Sequence, residues 1–109
     1  MGHEVSTEEA YTAAHLTALG IIKTLQVELG DLDRVKRIVK VTGFVNCVDG
    51  FTVQAGVING ASDTLGKVFG DVRGQHARSA VGTNALPLNV PVEVEAIVEI
   101  YKEEEVIVE

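Results

Sequence analysis

The sequence holds one cysteine, Cys47, two prolines and no tryptophan. A single thiol cannot form an internal disulfide and suits a reducing compartment, so the expected location is the cytoplasm. Cys47 has no obvious base beside it and reads as a small buried residue rather than a nucleophile. Cations are scarce as well: nine Lys and Arg stand against sixteen Asp and Glu, a net charge of −7. That balance argues against nucleic acid as the main partner, because phosphate backbones are held by clustered Lys and Arg. Long apolar runs are missing. No stretch approaches the ~18 residues of a membrane span, and MGHEVSTEEA has neither the positive nor the apolar region of a secretory leader. The sequence also contains no GxxxxGK[ST], HExxH, CxxC or GxSxG. His3, His15 and His76 are too scattered for a metal site, and His15 is expected at the surface of a helix. No metal is therefore expected.

What is present divides into regular elements. The chain of 109 residues suits a single domain. STEE at 6–9 has the form of a capping box, in which Ser6 caps and Glu9 reaches back. Apolar residues then recur at Ala14, Ala18, Ile21, Ile22, Leu25 and Leu29, and Gly30 follows as the stop, which predicts a helix over 7–29. The small residues Ala10, Ala13, Ala14 and Ala18 would let that helix lie close to a sheet. IVKVTGFV, 38–45, is β-branched and roughly alternating, a predicted strand, with Gly43 marking a bulge or a close approach. DRVKRIVK, 33–40, carries its charges on a solvated face. NCVDG at 46–50 is turn chemistry. A second helix is expected over 51–69, with the stripe Val57, Ile58, Ala61, Leu65, Val68 and Phe69. A short strand follows at 77–81 and a loop at 82–89. VPVEVEAIVEI, 90–100, alternates Val92, Val94, Ala96 and Val98 against Glu93, Glu95, Ile97 and Glu99. The expected fold is α+β, in the order α-β-α-β-β, with two helices on one face of a small mixed sheet. Such a sheet is thin for a monomer, so self-association is expected to complete the core.

Arg78 opens a stretch that otherwise reads as sheet core. Its guanidinium could pair with one of the nearby glutamates. That is the plainer reading of the pattern; the other is a receptor for a ligand carboxylate, whose two oxygens match two parallel N–H donors. A glutamate nearby could orient water or move a proton.

ARSAVGTNALPLNVPVEVEAI resembles the closing signature of the Rid superfamily, also called the YjgF or "endoribonuclease L-PSP" family. DLDRVKRIVKVTGFVN is similar to the family's strand after the first helix, and FTVQAGVINGASDTLGKVFG to its second helix. INGASD and GQHARSAVG look closest to a less characterised branch. The resemblance covers roughly residues 6 to 100. It implies a chorismate-mutase-like α+β fold, a homotrimer with sites in the clefts between subunits, and cofactor-free hydrolysis of reactive enamines and imines to 2-oxo acids and ammonia. By the same resemblance Arg78 clamps the substrate carboxylate, Glu93 activates water and Asn59 lies near the cleft. Ala80 stands where the deaminases often have Cys or Thr, and His76 where they often have Pro. Family chains usually open with strands ahead of the first helix. This chain is short there, and VIVE at 106–109 is the candidate to pair at the open sheet edge. The alternative expectation is a non-catalytic trimer that binds small carboxylates or a protein partner in the same clefts.

Overall fold

The computed structural model describes residues 6–47, 53–86 and 90–102. The elements run α1 (Thr7–Leu29), a single 3-10 turn (Leu32–Arg34), β1 (Val35–Asn46), α2 (Gln54–Arg73), β2 (Ala77–Thr83) and β3 (Val92–Ile100). The strands form one sheet in the order β2-β1-β3. β1 is parallel to β2 and antiparallel to β3. Both helices cover one face, as the α+β reading expects.

α1 begins and ends where its caps dictate. The Ser6 hydroxyl accepts from the Glu9 amide at 3.1 Å, while the Glu9 carboxylate accepts from the Ser6 amide at 3.1 Å. The Ser6 amide first, and the Ser6 hydroxyl second, hold the Glu9 carboxyl below its usual pKa. At the other end the Gly30 amide donates to Gln26 O at 2.8 Å with φ of 82°. Ala10, Ala14 and Ala18 have no exposed surface. The stripe they form meets α2 as well as the sheet. At Gly60 of α2 any Cβ would collide with the Tyr11 backbone carbonyl and stand 3.1 Å from the Ala14 Cβ. The two helices thus approach at backbone distance, and the Tyr11 hydroxyl, which donates to Asp63 Oδ2 at 2.6 Å, ties them at the rim. The bond to Asp63 raises the Tyr11 pKa.

β1 starts three residues before the expected strand, and its inward side chains are Val35, Ile38, Val41, Gly43 and Val45. They fall at spacings of three, three, two and two. Two register shifts against β3, between Val35 and Arg37 and between Ile38 and Lys40, re-phase the pleat. The first shift lets Lys36 and Arg37 both stay in water. Gly43 is not itself the bulge. It is a close approach: an added Cβ would lie 2.5 Å from Ile58 Cδ1 and Cγ1.

α2 buries Val57, Ile58, Ala61, Leu65 and Phe69, but Val68 is 42% exposed and faces solvent. The helix does not stop at Phe69. Gly70, at φ 82° and ψ −179°, interrupts it, and one further turn runs to Arg73. β2 extends to Thr83, two residues beyond the expected end. β3 alternates as predicted, with Val92, Val94, Ala96 and Val98 toward the helices and the glutamates outward. His15 departs from expectation. It is half-buried between the helices against the Thr64 hydroxyl, which itself donates to Gly60 O at 2.7 Å. Cys47 is buried. The predicted turn at 48–50, the start of the second helix at 51–52, Pro87 and the candidate strand 106–109 lie outside the described residues. Among the described residues no helix is long and apolar enough to cross a membrane.

The two close approaches set the stability order of alanine variants. Gly43→Ala should cost about 1–3 kcal/mol by overpacking, and the cost should shrink in an Ile58→Ala background, because a side chain can yield there. Gly60→Ala meets a backbone carbonyl and should cost more than Gly43→Ala. Urea midpoints and the double-mutant cycle measure both.

Candidate functional site

Three arginines near the helix–sheet boundary do different work. The strand β2 places Arg78 opposite Val41 and Ala80 opposite Gly43, so both point to the helix face. At the same edge α2 presents Asn59 and Ser62, one turn apart. The Arg78 Nη1 donates to Asn59 Oδ1 at 2.6 Å and to Ser62 Oγ at 3.2 Å. Arg34 and Arg73 point their forks at the backbone instead. Arg73 Nη1 donates to Val35 O at 2.9 Å and Leu32 O at 3.4 Å, with its guanidinium 5.3 Å from the Phe69 ring centroid. Arg34 Nη2 donates to Tyr101 O at 3.1 Å and locks the end of β3. Among the described residues Arg78 has no carboxylate within ion-pair reach; the recorded pair joins Arg37 and Glu99 at 3.0 Å. The glutamate-pairing alternative for Arg78 therefore finds no partner in the described chain.

Held by Nη1 alone, Arg78 keeps Nη2 and Nε without a described partner. That is the planar edge a carboxylate pairs with. The side chain borders a groove of about 280 Å³ whose wall includes Ser62, Gly66, Gly70, Gly74, His76 and Arg78. Gly66 and Gly70 contribute no side chain, and the break at Gly70 turns the last turn of α2 aside. The groove is thus open above the arginine.

His76 joins this cluster. Its Nε2 lies 2.9 Å from Ser62 Oγ and its Nδ1 2.7 Å from Gly74 O. A carbonyl can only accept, so the proton sits on Nδ1 and Nε2 accepts from the Ser62 hydroxyl. Of the sequence-predicted residues, Arg78, Asn59 and His76 thus converge. Ala80 lies on the same face, half-buried against the core rather than in the groove. Glu93 is on the other face: its register partner is Phe44, while Arg78 is partnered with Val41. In its own chain Glu93 does not meet Arg78. Sequence reasoning missed Ser62. The signal was present, since Ser62 follows Asn59 by three and so shares its helix face. Among the described residues no three His, Cys, Asp or Glu side chains cluster to hold a metal ion.

The sequence profile of the family described as "YjgF/chorismate_mutase-like, putative endoribonuclease" matches residues 1–103. Protein TCP17 of Trypanosoma cruzi is 48% identical over 100 residues, which are 92% of this chain and 62% of the relative. The crystal structure of Atu1372 from Agrobacterium tumefaciens, a protein described as of unknown function, superposes with a TM-score of 0.90 at 44% identity, over 94% of this chain and 65% of that one. A "putative endoribonuclease" from Shewanella oneidensis superposes with a TM-score of 0.86 at 30% identity, over 91% and 65%. The chain therefore spans 62–65% of the length of these relatives.

The division among the arginines is measurable without any substrate. Arg34→Ala and Arg73→Ala strand backbone carbonyls and should each lower stability by about 1–3 kcal/mol. Arg78→Ala should stay within about 0.5 kcal/mol of the parent. Equal losses at all three positions would make Arg78 a structural residue.

Proposed function

The chain belongs to the YjgF/chorismate-mutase-like family, and from that premise we propose that it is a Rid-type deaminase of reactive enamines and imines. One observation carries the reading: a guanidinium held in place by Asn59 and Ser62, with no partner on its outer edge among the described residues, beside an open groove. The substrate is a small carboxylate-bearing enamine such as 2-aminoacrylate. Its carboxylate pairs with Nη2 and Nε of Arg78. The enamine carbon takes a proton to give the imine, water adds to the imine carbon, and ammonia leaves, so that pyruvate is released. Preorganised binding of the carboxylate fixes the carbon where water must attack.

Glu93 is the water-activating group of this proposal. Since it lies on the sheet face opposite Arg78 in its own chain, it must act on an arginine supplied by another copy. The proposal thus includes a homotrimer, in the cytoplasm, whose clefts join the two faces. The outer sheet face supports such packing: Val81 is 44% and Ile97 61% exposed there. The ribonuclease wording attached to relatives finds little support in a chain of charge −7.

The same separation of Glu93 from Arg78 favours one second reading, a trimer that binds small carboxylates or a protein partner without turning anything over. Freshly generated 2-aminoacrylate separates the two. The deaminase should release pyruvate faster than buffer alone, and Arg78→Ala should abolish the gain. No acceleration, with pyruvate still raising the melting temperature through Arg78, would leave the binding reading.

A further inference from the structure

The deaminase reading uses Ser62 only to hold Arg78 and gives its contact with His76 no chemical step. The donors run in one direction through four groups. Arg78 Nη1 donates to Ser62 Oγ at 3.2 Å, Ser62 Oγ–H points to His76 Nε2 at 2.9 Å, and His76 Nδ1–H points to Gly74 O at 2.7 Å. A hydroxyl within reach of an imidazole, with that imidazole oriented through its far nitrogen by a third group, is the arrangement that activates a serine. The guanidinium adds to it, because a cation donating to Oγ favours the alkoxide over the alcohol. Ser62 and His76 are both half-buried and both line the groove of about 280 Å³, so an electrophile can reach Oγ from solvent.

We propose that Ser62 is a nucleophile with His76 as its base, and that the groove hydrolyses small esters that carry a carboxylate. The Ser62 oxygen attacks the acyl carbon while its proton passes to His76 Nε2. The bond from the acyl carbon to the leaving alcohol breaks, and the alcohol takes that proton. Water then attacks the acyl-serine, again losing a proton to Nε2, and the carboxylic acid departs as Ser62 recovers its hydrogen. One ester and one water become one acid and one alcohol. Arg78 gives the selectivity. Its Nη2 and Nε edge, without a partner among the described residues, takes the substrate carboxylate. The small groove admits a short acyl chain. This activity does not depend on the deaminase reading or on Glu93.

The test uses the whole chain and two probes. An alkyl fluorophosphonate should add one phosphonyl group per chain, forming the Oγ–P bond and losing fluoride, and peptide mapping should place it on Ser62. Ser62→Ala should remove the adduct, and His76→Gln should slow labelling at least tenfold while the circular dichroism stays that of the parent. p-Nitrophenyl hydrogen succinate should be cleaved at least tenfold faster than p-nitrophenyl acetate, and Arg78→Ala should erase that preference. An unlabelled Ser62 in the parent protein overturns the proposal, whatever the variants do. So does labelling that proceeds at the parent rate in a folded His76→Gln protein, which would leave the Ser62–His76 bond as a clip between α2 and the start of β2.

Discussion

The Tyr11 carbonyl lies against the Cα of Gly60 with no room for a side chain between them. Much else in the chain depends on that contact. It lets α1 and α2 sit side by side on a sheet only three strands wide. The alanine stripe of α1 exists to fill the remaining seam. Ile58, two residues before Gly60, then falls over Gly43 of the central strand. With Gly60 turned to α1 and Ile58 to the sheet, the remaining flank of α2 carries Asn59 and Ser62 toward β2. The position of Arg78 follows from packing that Arg78 takes no part in. A bulkier residue at position 60 would lift α2 and draw two of the arginine's partners away.

Charge is used in a similarly divided way. The chain is strongly acidic, and Glu93, Glu95 and Glu99 stand on the outer face of β3. The cations answer in different places. Arg37 balances Glu99 in solvent, where such pairs contribute little. Arg34 and Arg73 satisfy backbone carbonyls at the turn where α1 hands over to β1 and where β3 ends. Arg78 does neither. Its guanidinium is held by neutral partners, with no carboxylate in ion-pair reach among the described residues, although Asp71 lines the same groove.

Much of the architecture could be read from the residues. The capping box and Gly30 bounded α1 to the residue, because cap chemistry is local. The alternation of β3 predicted its inward face, because nothing interrupts its pleat. β1 was harder. Its inward residues fall three apart where the strand is bulged, a period that belongs to neither a plain strand nor a helix, and bulges are set by the partner strand. The extension of α2 past Gly70 was hidden because a glycine there reads as a terminator. At the site, Arg78, Asn59 and His76 were legible, but their company was not. The resemblance gave Glu93 and Arg78 roles in a cleft between subunits, and within one chain they stand on opposite faces of the sheet. Whether two strands present residues to the same face depends on register across β1, which no single strand encodes. Ser62 went unnoticed since a serine inside a helix carries no signal until its neighbours are placed.

If packing of α2 holds Arg78 for a carboxylate, a crystal structure of the whole chain with pyruvate will show it. The carboxylate is then expected on Nη2 and Nε of Arg78 at about 2.7–2.9 Å, the range of charge-assisted bonds, with Nη1 still on Asn59. Pyruvate bound away from Arg78, or an Arg78 that has to leave Asn59 and Ser62 to reach it, would mean that α2 does not hold the arginine for an anion.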